Sequence, residues 1–177
     1  MRLEMLERGG HSSKPFNGEL ASIIDDVKLL DNKDQGWLAG ALNPWFNDYA
    51  DAMIYHLGMK PDAFPNFHLK NAWINYQKAN ESNPEHVHSS DISFSVYLQI
   101  PEALKQEQKE YMGRSAGPGG ITFRYGEIAN MTRTQHVFFP EEGDIIIFPS
   151  SLAHWVNSFK SDCVRISLAG NLYVRGA

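Results

Sequence analysis

The chain has 177 residues, of which 42% are hydrophobic and 21% are charged. These proportions are ordinary for one soluble globular domain. Its formal net charge is −5, and no run of Lys and Arg marks a phosphate-binding face, which disfavours nucleic acid as a partner. We therefore expect a single domain over residues 1–177 that acts on a small molecule or a protein.

Cysteine content and hydropathy bear on location. Cys163 is the only cysteine, which excludes an internal disulfide and fits a reducing compartment. Residues 1–15 lack the apolar core of a signal peptide, and no stretch approaches the ~18 consecutive apolar residues of a membrane span. The prediction is a cytoplasmic protein of a bacterium or a virus-infected host cell. Oligomeric state does not follow from the sequence.

The first third of the chain has a helical spacing of apolar residues. A short helix is predicted over residues 19–30, and residues 38–57 repeat apolar side chains at three- and four-residue steps, as one helix face requires. Gly58 is predicted to end the second helix, and Pro44 to split or kink it. We expect this helical part, about 18–60, to pack on the outer face of a sheet.

After Pro61 the apolar period changes to two, and strands are predicted. Residues 101–120 are an exception, read as a short helix and a mobile loop that could act as a lid. Strands without intervening helices predict a mainly β sandwich, barrel or jelly roll with a core over about 70–174. The predicted strands are 72–79, 93–100, 120–126, 136–139, 144–148 and 164–174.

The segment EHVHSSD places His86 and His88 two residues apart, with Asp91 three residues further on. In an extended segment, side chains i and i+2 point to one face, so both imidazoles could bind one ion of iron, zinc, copper or nickel. The pair alone is a weak signal, because the chain has seven histidines. The alternative is a solvated loop.

The later run GDIIIFPSSLAHW adds a third histidine. Gly143 and Asp144 form a turn into a buried strand, Pro149 ends that strand, and a short loop brings His154 to the start of the next. Since a late strand can pair beside an early one in a rolled β architecture, His154 can reach the early pair. The alternative is that His154 only packs beside Trp155.

Arg165 and Ser167 alternate with apolar residues in VRISL, residues 164–168. If the apolar side chains face one side, Arg165 and Ser167 face the other. An arginine inside a small barrel is costly unless it meets an anion, and a guanidinium binds a carboxylate through two parallel hydrogen bonds. The run predicts a buried carboxylate site. The alternative is a surface arginine paired with Glu141 or Asp144.

Taken in order, these segments resemble the Fe(II)- and 2-oxoglutarate-dependent oxygenases, and most closely a bacterial and phage group with an HxH pair, a late FPSxxxH and a terminal RISxxxN. The resemblance covers about residues 70–174. It implies a double-stranded β-helix, that is, a cupin-like jelly roll. It also implies Fe(II) bound by His86 and His154, with 2-oxoglutarate and O2 as co-substrates.

The same resemblance implies that Arg165 and Ser167 contact the distal carboxylate of 2-oxoglutarate, with a further hydroxyl from Tyr97. The implied activity is hydroxylation of an unknown substrate, with decarboxylation of 2-oxoglutarate to succinate. Substrate is expected to enter near loops 80–92 and 105–120. Candidate lining residues are Asn75, Tyr76, Arg124 and Trp155.

One departure concerns the metal ligands. The usual pattern is His-x-Asp, which gives two histidines and one carboxylate, whereas His88 stands at the aspartate position here. Three ligand sets are open: His86, His88 and His154; a set that includes Asp91 through a bent loop; or a water, with His88 behind it. The first is favoured, and Asp91 would otherwise cap the turn into the next strand.

Two other functions fit the same fold class. A cupin-type metal-binding protein shares the HxH pair and the late G…P…H…N run, but it lacks a use for Arg165 with Ser167. A non-catalytic jelly roll, such as a virion or interaction module, predicts no retained metal. Consumption of 2-oxoglutarate would separate an oxygenase from both.

Overall fold

A computed structural model describes residues 1–11, 14–15, 23–58, 66–114, 116–127 and 131–175. Its helices are α1 (Arg2–His11), α2 (Asn32–Leu57) and α3 (Glu102–Glu110). Its strands are β1 (Lys14–Pro15), β2 (Val27–Leu29), β3 (Asn66–Gln77), β4 (Asn83–His86), β5 (Ile92–Gln99), β6 (Ile121–Arg124), β7 (Gln135–Phe138), β8 (Ile145–Pro149), β9 (Ala153–Val156) and β10 (Arg165–Arg175).

The strands form two antiparallel sheets. The larger has six strands in the order β1-β2-β3-β10-β5-β8, and the smaller has four in the order β4-β9-β6-β7. The longest strands, β3 and β10, pair side by side at the centre of the larger sheet. The prediction of a mainly β fold is confirmed, and six predicted runs correspond to β3, β5, β6, β7, β8 and β10.

One face of the larger sheet is apolar and covered by helices α1 and α2. Met5, Leu38 and Leu42 from the helices share one buried cluster with Ile166 and Leu168 of β10. Burial of such side chains contributes roughly 1.5–3 kcal/mol each. Packing against the helices thus buries Ile166 and Leu168 of β10. That residues 1–177 form one domain stays a prediction.

The opposite face of the larger sheet points into the roll and is polar. Because a buried polar side chain is costly unless it is hydrogen-bonded, this face is suited to binding a ligand rather than to close apolar packing. Its buried polar residues are Asn75 and Gln77 of β3, Ser93 and Ser95 of β5, and Arg165, Ser167 and Asn171 of β10.

Helix α2 is longer than predicted and continuous. It begins after Asp31, whose Oδ1 accepts a hydrogen bond from the backbone N–H of Asp34 at 2.8 Å. It ends at Gly58, which has φ of 60° and donates its N–H to the carbonyl of Ile54. The helix is not split at Pro44. Among the described residues, no helix is both long and apolar enough to cross a membrane.

The predicted helix over 19–30 is wrong where the structure describes it. Residues 19–22 lie outside the described residues, and 27–29 form strand β2 against β3. Val27 is buried and pairs opposite Asn75, whereas residues 28 and 29 are half-buried. Pairing with β3 satisfies the backbone hydrogen-bonding groups of this segment. This gain outweighs the helical spacing of its apolar residues.

The loop after α3 is only partly open. Helix α3 confirms the predicted short helix, but residues 117–120 are buried, against the expectation of a mobile loop. The Asn157 side-chain amide donates to the carbonyls of Ala116 and Gly117. This half of the segment is therefore fixed to the smaller sheet, and a lid role does not fit it.

A packing prediction arises at Gly170 of β10. A Cβ placed there would lie 2.6 Å from the Phe94 ring and 2.8 Å from the Asn71 carbonyl oxygen. Gly170→Ala is expected to lower the free energy of unfolding by about 1–3 kcal/mol, because ring and backbone must both move. Urea unfolding measures this change.

Gly36→Ala is the matched control for that substitution. A Cβ at Gly36 in helix α2 meets nothing within 4 Å, so the change is expected to raise the free energy of unfolding by up to about 1 kcal/mol. If both alanine variants were equally stable, the close packing at Gly170 would be contradicted.

Candidate active site

Three imidazoles meet between the two sheets. His86 ends β4, and it pairs directly with His154 of β9 in the smaller sheet. The ring centroids of His86 and His154 are 4.3 Å apart, and His88 lies 4.8 Å from the first and 5.2 Å from the second. Their candidate ligand atoms all lie within 4.8 Å of one another. Three side chains could therefore hold one metal ion.

His88 joins this cluster from the loop that follows β4. The predicted approach of the two imidazoles required an extended segment at 86–88, and β4 ends at His86. The backbone N–H of His88 donates to the carbonyl of Ser150 at 2.9 Å. This hydrogen bond ties His88 to the residue that follows β8.

Backbone carbonyls orient two of the rings. The Nδ1 of His86 lies 2.7 Å from the carbonyl oxygen of Pro84, and the Nδ1 of His154 lies 2.9 Å from that of Leu152. Since a carbonyl only accepts, each Nδ1 carries the proton and each Nε2 presents a lone pair. The Nε2 of His86 is buried and has no hydrogen-bond partner among the described residues.

Burial also keeps the three rings neutral. Desolvation lowers the pKa of His86. It lowers the pKa of His88 to about 3, helped by the nearby His154, and that of His154 to about 4. At neutral pH all three imidazoles are uncharged. Neutral imidazole is the form that ligates metals.

Asp91 does not join the cluster. It is exposed, and its Oδ2 accepts a hydrogen bond from the backbone N–H of Val174 at 2.7 Å. The group of described His, Cys, Asp and Glu side chains that meet here contains the three histidines alone. The position of Asp91 fits the alternative role of fixing the start of β5.

Arg165 is a buried cation without an anionic partner in the described part of the chain. Its side chain is 2% exposed, so the alternative of a surface arginine is wrong. Nη1 donates to Oε1 of Gln77 at 2.8 Å, and Nε is buried with no partner among the described residues. Burial lowers the pKa of Arg165, opposed by the neighbouring Tyr97. A buried guanidinium is costly unless an anion compensates its charge, so this position suits an anionic ligand.

Two hydroxyls lie near this guanidinium. Tyr97 is fully buried, its ring centroid is 5.0 Å from Cζ of Arg165, and its Oη has no hydrogen-bond partner among the described residues. Burial raises the pKa of Tyr97, so its hydroxyl stays protonated and can donate. Ser167 pairs opposite Tyr97 in the sheet, and its Oγ is 3.5 Å from Nδ2 of Asn75.

One cavity joins the imidazoles to the guanidinium. It is lined by all three histidines and by Arg165, Tyr97 and Ser167. Gln77 was not among the predicted site residues, yet it is fully buried and hydrogen-bonded to Arg165. The alternation of NYQ at the end of β3 was the available signal, because Asn75 and Gln77 fall on one face.

A second, larger groove borders this cavity. It has a volume of about 1100 Å³ and is lined in part by residues 82–84, by 110–114 and by Trp155. Asn83 and Val156 line both spaces, so the two are neighbours. The groove lies where the sequence analysis expected substrate to enter.

The four predicted lining residues separate in the structure. Asn75 lines the histidine cavity, and Trp155 lines the larger groove. Tyr76 and Arg124 line neither space. The Tyr76 ring is covered by Lys28, and Arg124 forms an ion pair with Glu85 at 2.9 Å.

Solved structures with the same fold include several oxygenases. A 2OG-Fe(II) oxygenase family oxidoreductase from Burkholderia pseudomallei matches with a TM-score of 0.62 and 13% identity, over 99% of this chain and 79% of that one. A Pseudomonas putida prolyl-4-hydroxylase matches with a TM-score of 0.55 and 16% identity, over 98% and 84%. The α-ketoglutarate-dependent epimerase SnoN, from nogalamycin biosynthesis, matches with a TM-score of 0.59 and 14% identity, over 97% and 71%. The predicted double-stranded β-helix is confirmed.

Sequence comparison identifies the family. No curated protein matches the chain. The profile of a family described as "Putative 2OG-Fe(II) oxygenase" matches residues 71–171, more than half of the sequence. This span contains the three histidines, Arg165 and the polar inner face of the larger sheet. The chain belongs to the 2OG-Fe(II) oxygenases, enzymes that use Fe(II), 2-oxoglutarate and O2.

Proposed function

We propose that this oxygenase hydroxylates its substrate while decarboxylating 2-oxoglutarate to succinate, with His86, His88 and His154 as the metal ligands. One observation carries the proposal. A single cavity holds three neutral imidazoles and, apart from them, a buried guanidinium that has no anionic partner in the described part of the chain. The first group suits a divalent metal, and the second suits a carboxylate.

The ligand set fits Fe(II) without a protein carboxylate. The Nε2 of His86 has no hydrogen-bond partner among the described residues, and a backbone carbonyl orients the ring of His154. Since the two ring centroids are 4.3 Å apart, both rings can offer a lone pair to one ion. Three neutral ligands leave the full 2+ charge on the ion, whereas a set with one aspartate would leave 1+. The carboxylate of 2-oxoglutarate beside its ketone would therefore lower the charge at the ion to 1+, which favours its binding.

The second carboxylate of 2-oxoglutarate would bind at Arg165. The free Nε of Arg165 and the free hydroxyl of Tyr97 are two buried donors, both unpartnered among the described residues. The hydroxyl of Ser167, which pairs opposite Tyr97 between β10 and β5, offers a third donor. A buried donor left unpaired costs about 1–3 kcal/mol, so a carboxylate that accepts from these donors would bind favourably here.

When bound, Fe(II) and 2-oxoglutarate supply the oxidising chemistry: one oxygen atom of O2 enters the substrate as hydroxyl, the other enters succinate, and CO2 leaves. The chain orients both partners and excludes water. The Phe148 ring packs 4.8 Å from that of His154, and Phe123 stacks 6.0 Å away on the same ring. These rings place apolar surface against His154.

The groove of about 1100 Å³ is the proposed entry for the prime substrate. Because Asn83 and Val156 line both the groove and the histidine cavity, a substrate in the groove lies beside the metal site. Its size accommodates a small molecule or a segment of a protein. A cytoplasmic location stays a prediction.

Anaerobic titration with Fe(II) tests the proposed function. Adding 2-oxoglutarate to the Fe(II) protein is expected to give a weak visible charge-transfer band, because the 2-oxo acid chelates the metal. Glutarate is the matched control. It has both carboxylates but no ketone, so it is expected to give no band.

Exposure to air should then convert 2-oxoglutarate to succinate. A cupin-type metal protein or a non-catalytic jelly roll would give neither the band nor succinate. Absence of the band under reducing conditions, with Fe(II) bound, would refute the proposed co-substrate.

A further inference from the structure

The loop that carries His88 lies outside the strands and needs support. Strand β4 ends at His86 and β5 begins at Ile92, so residues 87–91 alone set where the His88 ring lies. Loop segments open more readily than strands unless side chains or backbone hold them. Yet the His88 ring has to reach the other two imidazoles for three ligands to act together.

Ser150 holds this loop at two points through its backbone. Ser150 directly follows β8 and is 0% exposed. Its carbonyl accepts the N–H of His88 at 2.9 Å, and its own N–H donates to the carbonyl of Asp91 at 3.0 Å. One buried residue therefore fixes both ends of the four-residue stretch from His88 to Asp91.

The Ser150 hydroxyl continues into a buried chain of hydrogen bonds. Its Oγ lies 2.7 Å from Oγ of Ser90 and 2.8 Å from Oγ of Ser93. Ser93 in turn donates to Oδ1 of Asn171 at 2.8 Å, and Nδ2 of Asn171 donates to Oδ1 of Asn71 at 3.1 Å. The chain links the His88 loop to β5, β10 and β3.

The direction of this chain follows from its far end. Because the Asn171 amide nitrogen donates to Asn71, the Asn171 oxygen faces Ser93 and accepts a hydrogen bond from its hydroxyl. Ser93 must then accept from Ser150, and Ser150 from Ser90, since each hydroxyl has one proton to donate. Every donor is used once. A network satisfied in this way is rigid, and breaking one member leaves others unpaired.

We propose that Ser150 and Ser93 are positioning residues that hold His88 in place as the third metal ligand. The inference rests on the proposed function, because it concerns how that metal site is built. It also gives a role to the serine of FPSxxxH and the asparagine of RISxxxN, which neither the metal nor the 2-oxoglutarate proposal uses.

The test is the Co(II) affinity of the purified full chain, measured by competition with a chelator. Ser150→Ala is expected to weaken Co(II) binding about tenfold, at the lower end of the cost of removing an outer support of a ligand. In the His88→Ala chain, the same serine change is expected to cost less than twofold, because the residue through which it acts is gone.

Two controls separate positioning from general damage. Thr122→Val removes a fully buried hydroxyl that has no hydrogen-bond partner among the described residues, and Ser151→Ala removes the exposed neighbouring hydroxyl. Both should leave Co(II) affinity unchanged. Should Ser150→Ala fail to fold, Ser93→Ala breaks the same chain and carries the same expectations.

Three results would overturn the inference. They are an unchanged Co(II) affinity in Ser150→Ala and Ser93→Ala, an equal loss in the presence and absence of His88, and an equal loss in Thr122→Val. Each leaves Co(II) binding by the unaltered chain intact, so the proposed function survives. If the unaltered chain bound no Co(II), the proposed function and this inference would fall together.

Discussion

His154→Ala is expected to weaken Fe(II) binding by more than about 100-fold and to abolish the charge-transfer band with 2-oxoglutarate. Loss of an outer support costs a metal site 10–100-fold, and loss of a ligand itself costs more. His154 is the one buried ring of the three; its Nδ1 contacts the carbonyl of Leu152, and the Phe148 ring packs against it. Anaerobic equilibrium dialysis with Fe(II) measures the change.

Asp91→Asn is the control that tests the ligand set in which Asp91 binds the metal. Its carboxylate accepts from Val174, so the amide variant is expected to keep Fe(II) affinity within about twofold. A loss of Fe(II) affinity as large as that of His154→Ala would contradict the three-histidine site and would indicate that Asp91 binds the metal. Equal retention of Fe(II) by His154→Ala and by the unaltered chain would contradict the site altogether.

The sequence was sufficient to predict the two faces of β10. VRISL alternates, and the structure places Ile166 and Leu168 against the helices and Arg165 and Ser167 inside the roll. Strand alternation is a local property, so it survives in any fold that buries the strand. The convergence of His86 with His154 required more, namely a late strand paired with an early one, and the family resemblance supplied that topology.

The hydrogen-bond network behind the histidines could not be predicted in the same way. Ser93 and Ser150 are 57 residues apart, and Asn71 and Asn171 are 100 apart. Which of these side chains meet depends on strand register, and a shift of one residue would turn each to the opposite face. Serine and asparagine are also common in surface loops, so their types alone did not mark them as buried.

The polar inner face explains why the same strands look unremarkable in sequence. In ISFSVYLQ the serines alternate with Phe94 and Val96, a pattern typical of a strand with one solvated side. Here both sides are buried: one contacts helices, and the other encloses the cavity. Polar residues on a doubly buried strand are therefore the structural sign of the binding site, and burial is the information that sequence lacks.

Arg165→Met is expected to weaken 2-oxoglutarate binding by about 100-fold while leaving Fe(II) affinity unchanged. A hydrogen bond to a charged group contributes about 1.5–3 kcal/mol, and about 2.8 kcal/mol corresponds to 100-fold. The metal does not depend on this residue, because the imidazoles are oriented by Pro84 and Leu152. Isothermal titration of the Fe(II) protein with 2-oxoglutarate, without O2, measures the first affinity, and anaerobic equilibrium dialysis with Fe(II) measures the second.

The same variant should be no less stable than the unaltered chain when metal and 2-oxoglutarate are absent. Arg165 is a buried cation that donates a hydrogen bond to Gln77 and has no anionic partner in the described part of the chain, and removing its desolvation cost offsets the loss of that hydrogen bond. With ligand at 100 times its Kd, the unaltered chain gains about 2.7 kcal/mol, a gain that Arg165→Met should lose at the same concentration. Arg165→Lys keeps the charge but not the planar guanidinium. Its affinity for 2-oxoglutarate should therefore fall between those of the unaltered chain and of Arg165→Met. A metal-free Arg165→Met protein that unfolds more easily, yet still binds 2-oxoglutarate normally, would show that Arg165 stabilises the fold and not the co-substrate.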